Sequence, residues 1–415
     1  MPEIFITEID VQSTPRVPKL KIPISDSERK HLIITGKNGS GKTTLLLAIN
    51  NFLEKLVNGT YGNYSRNLLA LESNQRRQDK LQKTQPPDHA RIAQATNNIE
   101  NFEKYFSSFD GLKLQFIQNE LLTTGVLKPN LLVAYFDAKR QTNLNTPRGI
   151  NKFDFKEQYK PQEKSNQDFI QYIVNLKAER SFARDDGDMQ VVQEIDQWFS
   201  RFEGQLQTLF NSPDLKLVFD RKNFNFTIQQ RDSVGFDLNQ LSDGYSAALS
   251  IVTELIMRME AHGNRAYDWQ GIVLIDEIET HLHVDLQKKI LPFLIDFFPN
   301  IQFIVTTHSP FVLSSISNAV ICDLETKLIT TDLSGYSYDA LIESYFDVDK
   351  YSEMVKGQIE RYERLSSQNE RSDHEQDAWL QLRTTLRELP KFYAPELVAK
   401  LQQIELKNRL RQRSS

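Results

Sequence analysis

A chain of 415 residues, 39% hydrophobic and 25% charged, has the composition of a globular protein with one large or two to three ordinary domains. Its 50 basic and 55 acidic residues leave a net charge of −5, which excludes recruitment of nucleic acid or anionic membrane by a global basic field, though not by local stripes. The single cysteine, Cys322, excludes an internal disulfide and fits a reducing compartment.

The opening MPEIFITEID has neither a basic n-region nor a long apolar h-region, which predicts no signal peptide and a cytoplasmic location. Residues 3–35 read as three strands, IFITEIDV, LKIPI and HLIIT, the last ending at Gly36. A helix is expected from Thr43 through about Leu56. Residues 66 to 106 turn helical and very polar, with Pro86 and Pro87 between two helical runs, so a hairpin is expected rather than a long coiled coil. LLVAYFDAKR at 131–140 has buried-strand character. Residues 156–210 become helical again, including the amphipathic VVQEIDQWFSRFEGQLQTLF.

Strands LKLVFD and FNFTIQQ follow, and then QLSDGYSAALS, a polar turn running straight into an apolar helix that Ser242 or Asp243 could cap. GIVLIDE and IQFIVTTHSP are expected as buried strands on either side of the helix DLQKKILPFLIDFF. After about residue 334 the chain is charged and helical to its end. The longest apolar runs, LLVAYF and GIVLI, are strand-sized and too short to span a bilayer, so no membrane partner is expected.

The segment GKNGSGKT at 36–43 matches G-x-x-x-x-G-K-[ST] between an apolar strand and a helix. Gly36, Gly39 and Gly41 allow such a loop to turn its N–H groups toward phosphate oxygens. Residues Gly36, Lys37, Asn38, Gly39, Ser40, Gly41, Lys42, Thr43 and Thr44 are therefore the candidate ATP-binding segment. Lys42 would reach the β- and γ-phosphates, and Thr43 would hold Mg²⁺. IVLIDE ends in two acids, of which Asp276 would bind Mg²⁺ through water and Glu277 would polarise an attacking water. Two acids ending a strand are common surface punctuation when read alone; a phosphate loop upstream reverses that balance. His308, at the end of the following strand, is placed to hydrogen-bond the γ-phosphate.

The order of these pieces, phosphate loop, LSDGY, IVLIDE, TTHSP, resembles the ATP-binding-cassette ATPases, in which a signature near L-S-G-G-Q precedes the acidic strand and a switch histidine follows it. Here Asp243 stands in place of the signature's first glycine and Tyr245 in place of its glutamine, while Ser242 and Gly244 are kept. The resemblance implies that Ser242, Asp243 and Gly244 face the phosphate loop of a second subunit. With one phosphate loop and one signature per chain, it implies a homodimer or higher homo-oligomer that buries ATP between protomers. DEIETHLHVDLQKKILPFLIDFFPNIQFIVTTHSPFVL is similar to the non-transporter branch related to SMC and OLD-type ATPases. Within that branch the chain resembles the ATPase subunits of bacterial antiphage systems, such as PtuA of Septu and of certain retrons, or AriA of PARIS.

The resemblance implies an α/β fold, an ABC-type phosphate-loop ATPase head with a mixed, partly parallel sheet, helical insertions and a helical C-terminal tail. The expected division is an N-terminal lobe at 1–65, a hairpin insertion at 66–110, continued core at 111–155, a helical insertion at 156–211, a C-terminal lobe at 212–333 and the tail at 334–415. The cofactors implied are ATP and Mg²⁺. The activity implied is ATP hydrolysis by a sensor or regulatory engine that controls a separate effector, a nuclease or toxin. A DNA-maintenance ATPase acting directly on DNA is the second reading, and a transporter's nucleotide-binding subunit the third.

Gln141, just after YFDAKR, is the candidate glutamine-loop contact to metal or water, and Arg140 could instead touch phosphate. His281 and His283 form an H-x-H without convincing further ligands, so a structural or interface role is expected over zinc. FDVDK at 346–350 places Asp347 near Asp349 in a helical setting and reads as an inter-helix loop. Arg76, Arg77, Lys80 and Lys83 on the hairpin, and Lys407, Arg409, Arg411 and Arg413 at the C-terminus, are local basic faces that could meet nucleic-acid phosphates, although solvated helix faces explain them as well.

Overall fold

The structure is a computed structural model that describes residues 3–58, 61–83, 88–117, 131–152, 154–156, 159–231, 235–261, 267, 269–336, 341, 353–368 and 371–388. The chain forms two compact units, residues 1–336 and 337–415.

In the first unit a six-stranded sheet carries the motifs. Its strands in chain order are β3 (His31–Thr35), β5 (Leu132–Phe136), β9 (Gly271–Ile275), β10 (Ile301–Thr306), β11 (Ala319–Asp323) and β12 (Ile329–Thr331). The spatial order is β12-β11-β3-β10-β9-β5. All neighbours pair in parallel except β12, which runs antiparallel to β11. Every residue of β3, β9, β10 and β11 is buried, as expected for parallel strands covered on both faces. The expected α/β architecture with a mixed, partly parallel sheet is present.

The first two expected strands, β1 (Ile6–Val11) and β2 (Leu20–Pro23), do not join this sheet. They pair antiparallel with β4 (Leu112–Phe116) in a separate three-stranded sheet. Gln302, fully buried within β10, fastens the two sheets. Its Oε1 accepts from Ile6 N at 2.8 Å, and its Nε2 donates to Ile6 O at 2.9 Å and Lys30 O at 2.8 Å. Satisfying both ends of the amide removes the cost of burying it. Helix α1 (Lys42–Val57) turns Leu45, Ile49, Phe52 and Leu53 into the same apolar core as Leu32, Ile34, Leu274, Ile304 and Val320.

Two helix pairs accompany this frame. Helices α2 (Tyr61–Gln82) and α3 (His89–Ser107) form the first, and Pro86 and Pro87 between them lie outside the described residues. The second pairs α4 (Phe169–Asp186) with α5 (Met189–Phe210), turned by Gly187 at φ 82° and capped by the Asp188 side chain on Val191 N. A small antiparallel sheet, β6 (Lys216–Asp220), β7 (Asn225–Gln229) and β8 (Phe236–Asp237), follows.

Helix α6 (Asp243–Glu260) is buried at nearly every position. Its polar residues therefore need internal partners. Glu254 accepts from Arg258 Nε at 2.7 Å, Ser165 N at 2.7 Å, Ser165 Oγ at 2.8 Å and Asn166 N at 2.9 Å. Arg258 also donates to the carbonyls of Val133 at 2.7 Å, Lys160 at 3.1 Å and Pro161 at 3.2 Å. With the bond from Tyr135 N to Pro161 O at 2.9 Å, these contacts hold residues 159–166 along the outer margin of β5.

Helix α7 (Val284–Phe297) and the short helix α8 (Pro310–Leu313) complete this unit. In the second unit, α9 (Glu353–Ser367) and α10 (Asp373–Glu388) are joined by Tyr362 stacked on Trp379 at 5.9 Å and by Trp379 Nε1 donating to Ser366 Oγ at 2.8 Å. FDVDK and the C-terminal basic cluster lie outside the described residues. No helix among the described residues is long and apolar enough to cross a membrane.

Candidate functional site

The carboxyl ends of β3, β9, β10 and β5 lie side by side, where open parallel sheets bind ligands. The ladder aligns Ile34 with Thr306, Ile275 with Val305, and Phe136 with Ile275. Each strand therefore releases its next few residues at one rim: the phosphate loop after β3, Asp276 and Glu277 after β9, His308 after β10, and Asp137 through Gln141 after β5.

In the loop, Gly36, Gly39 and Gly41 adopt φ values of 130°, 84° and 99°. Gly41 is the most constrained, because a Cβ there would lie 2.7 Å from the Arg16 carbonyl oxygen. Helix α1 begins immediately after it, so the orphan N–H groups of its first turn face the loop. Lys42 curls back to donate to the carbonyls of Gly36 at 3.0 Å and Lys37 at 3.1 Å. Burial pulls the Lys42 pKa down, while the nearby acids Glu277, Asp276, Glu279 and Asp323 push it back up.

Thr43 Oγ1 donates to Asp276 Oδ2 at 2.9 Å, which joins two residues that are 233 positions apart. Asp276 Oδ1 accepts from Thr306 Oγ1 at 2.6 Å, and that hydroxyl accepts from Glu277 N at 2.7 Å. A hydroxyl and a carboxylate on adjacent elements are the hard oxygen donors Mg²⁺ prefers, so the residues present fit that ion. Glu277 itself sits at φ 44°, which is uncommon for any residue other than glycine, and its Oε2 accepts from Thr280 Oγ1 at 3.2 Å. His308 is fixed through its backbone, whose N–H donates to Glu279 Oε1 at 2.5 Å. Its buried Nε2 has no hydrogen-bond partner among the described residues, and neither has the buried Ser40 Oγ. Burial holds the His308 pKa below its ordinary value, with Lys42 pushing the same way against Glu279, Glu277 and Asp276.

Arg140 does not point to the phosphate loop. Its guanidinium is buried and bonded to the carbonyls of Asp137, Asp276, Glu277 and Ile278. Gln141 is exposed, and among the described residues no hydrogen bond links it to Thr43 or Asp276. Ser242 occupies the N-cap position of α6 in an extended conformation, but its hydroxyl makes no capping bond. Ser242 and Asp243 are exposed, whereas Gly244 is buried. A Cβ on Gly244 would stand 2.9 Å from the His281 carbonyl oxygen, so glycine here lets α6 approach the segment after the acidic strand within the same chain. Tyr245 stacks on Phe210 at 4.2 Å.

His281, at φ 67°, is thereby a packing partner through its backbone, and His283 is the N-cap of α7. Neither belongs to a group of three His, Cys, Asp or Glu residues that could hold a metal ion among the described residues. On α2 and the residue after it, Arg76, Arg77, Lys80 and Lys83 are exposed, with Arg76 3.9 Å from Glu72. Three contributors escaped the sequence reading: Thr306, Glu279 and the pairing of Thr142 with Ser246, whose Oγ accepts from Thr142 N at 2.8 Å. The run of hydroxyls in TTHSP was the only signal for the first.

Fold, loop and acidic strand end together define a phosphate-loop ATPase. Residues 32–314 match the family model described as AAA domain, putative AbiEii toxin, Type IV TA system, and the chain belongs to that family. It is 27% identical over 358 residues to the Septu protein PtuA of Bacillus mycoides, a match covering 82% of this chain and 44% of that protein. The Retron Vc95 probable ATPase of Vibrio cholerae is 23% identical over 430 residues, covering 83% of this chain and 80% of that one. This chain thus spans less than half the length of the PtuA relative but most of the retron relative. Among solved structures, an Smc head bound to the C-winged helix domain of ScpA covers 80% of this chain and 99% of its own, at 13% identity and a TM-score of 0.37, too loose a likeness to bear on function.

Proposed function

We propose that this ATPase is the regulatory engine of an antiphage defence complex, in which ATP bound between two copies of the chain controls a separate toxic effector such as a nuclease. Its kinship with a Septu protein and a retron ATPase supports placing it among such systems. The observation that carries the two-copy reading is the start of α6. Ser242 and Asp243 are exposed there on a helix otherwise buried almost throughout, in a chain with one phosphate loop. Exposed N–H and hydroxyl donors at a helix N-terminus suit the phosphates of a nucleotide held by a partner.

Within each site, Gly36 through Thr44 wrap the phosphates, and Lys42 leaves its two carbonyl partners to reach the β- and γ-phosphate oxygens. Thr43, and Asp276 through water, would hold Mg²⁺, with Gln141 the candidate for a further contact, and the ion would neutralise phosphate charge when bound. Glu277 takes the proton of the attacking water as its oxygen bonds to the γ-phosphorus and the bond to the ADP oxygen breaks. His308 donates its Nε2–H to a γ-phosphate oxygen. Gly244 serves this arrangement by packing rather than by display.

Native mass spectrometry of Glu277→Gln purified with ATP and Mg²⁺ from its own host tests the reading. The expected result is a dimer retaining two ATP and accompanied by a second protein chain, with hydrolysis cut to a small residual rate. Undiminished hydrolysis would remove Glu277 as the base. Monomers under ATP would remove the shared site, and dimers without a second chain would remove the effector.

A further inference from the structure

Arg140 is only 3% exposed, and both terminal nitrogens of its guanidinium are spent on backbone carbonyls. Nη1 donates to Asp137 O at 2.7 Å and Asp276 O at 2.6 Å, while Nη2 donates to Glu277 O at 3.0 Å and Ile278 O at 3.2 Å. Three of these four carbonyls belong to consecutive residues. Neither a helix nor a strand turns three successive carbonyls toward one point. The chain does so here because Glu277, the middle residue, is left-handed at φ 44°. A planar fork is the side chain able to collect several carbonyls in one plane, and lysine, with a single nitrogen, is not equivalent.

Two residues later the same segment grips the signature helix. Thr142 N donates to Ser246 Oγ at 2.8 Å, and Thr142 Oγ1 donates to Ser246 O at 2.5 Å. Ser246 lies in the first turn of α6, four residues after Ser242, and its own N–H closes on Ser242 O at 2.9 Å. Residues 140–142 therefore touch the turn carrying Glu277 with one end and the turn carrying Ser242 with the other.

We infer that Arg140 is a positioning residue for hydrolysis, fixing the backbone that aims Glu277, and that Thr142 keys this turn to the start of the signature helix. The inference rests on Glu277 being the general base. With both terminal nitrogens bonded to backbone carbonyls, Arg140 acts by holding the 276–278 backbone in a conformation that residue 277 would otherwise leave. Because Thr142 sits two residues on, displacement of α6 at Ser246 is transmitted to the guanidinium and so to the catalytic turn.

The test compares Arg140→Lys, Arg140→Met and Thr142→Val with the parent for ATP turnover, ATP affinity and thermal unfolding, each also in a Glu277→Gln background. Both Arg140 variants are expected to lose turnover by roughly 10- to 100-fold while ATP affinity stays within about twofold, since a misaimed group costs rate rather than binding. Lysine should not rescue, and neither variant should slow hydrolysis further once Glu277 is Gln. Retained turnover in Arg140→Lys, or an equal additional loss in the Glu277→Gln background, would overturn the inference. Thr142→Val leaves every Arg140 bond in place and covers the case where Arg140 variants do not fold. Its turnover should fall about threefold or more at constant affinity, and parental turnover would overturn the coupling. Undiminished hydrolysis in Glu277→Gln alone would instead strike at the base assignment, a separate failure.

Discussion

Thr306 and Asp276 are joined by a 2.6 Å hydrogen bond across adjacent parallel strands, and the same threonine hydroxyl receives the Glu277 N–H at 2.7 Å. One hydroxyl thus orients the carboxylate assigned to the metal and the backbone of the residue assigned to the water. Thr306→Val preserves shape and removes both bonds. Leaving a buried N–H and a carboxylate oxygen short of partners should cost about 1–3 kcal/mol of stability. Turnover should fall by at least about tenfold as Glu277 and Asp276 loosen. Steady-state hydrolysis with denaturant unfolding checks both, and unchanged turnover would detach Thr306 from the site.

Gly41 marks where the loop tolerates no side chain. Its φ of 99° and the 2.7 Å approach of Arg16 O to a built Cβ combine strain with collision. Gly41→Ala should weaken ATP binding by about tenfold or more, the equivalent of one strained residue. Titration calorimetry would measure it, and Gly39→Ala, which meets nothing within 4 Å of the new Cβ, should be milder despite its φ of 84°.

The Glu254–Arg258 pair is buried, each side chain 4% exposed. Arg258→Met strands the carboxylate and frees the carbonyls of Val133, Lys160 and Pro161, at an expected cost of about 3–5 kcal/mol. Adding Glu254→Leu should cost less than the sum of the two single changes, because the second removes the charge the first abandons. Denaturation midpoints of the two single variants and the double variant decide it; strict additivity would mean that the pair is not coupled.

His31 makes stability depend on acid. Its Nδ1 accepts from Phe303 N at 3.1 Å, which needs the neutral ring, and burial, aided by Arg29, holds its pKa down to about 4. A depressed folded pKa means the contribution is fully present above 6.5 and is lost as pH falls through the interval to about 4. That interval is worth at most about 3 kcal/mol. Unfolding measured at pH 7 and pH 5 should show the loss, and His31→Gln should shrink the difference. An equally steep loss in the variant would assign it to carboxylates instead.

Much of the site was legible because its chemistry is contiguous: glycines, lysine and threonine of the loop fall within eight residues, and two acids close an apolar run. The relationships between motifs were not. Arg140 binds carbonyls 136 to 138 positions away, and a sequence records side chains, not which backbone groups a turn will expose. Ser242 was legible as an N-cap by position, yet its hydroxyl makes no capping bond. In the fold, LKLQF alternates buried Leu112, Leu114 and Phe116 with more exposed Lys113 and Gln115, a period-two signal too short to stand out beside a long helix. AVICD is buried throughout and shows no period at all. Nothing local distinguishes β1 from a strand of the main sheet; its place is set by pairing with β2 and with β4, about a hundred residues away, and the Gln302 amide ties it to the main sheet from nearly 300 residues away.

The margins of the large sheet have a consequence for the company this protein keeps. At one side β12 is three residues long, and at the other the strap 159–166 lies along β5, pinned by Arg258 and Glu254. Unpaired strand amides are templates for adding another strand. If the strap lifted, β5 would offer its edge to any extended segment of a neighbour. The buried ion pair is therefore also a guard on that edge, and its loss would uncover strand amides as well as destabilise the fold.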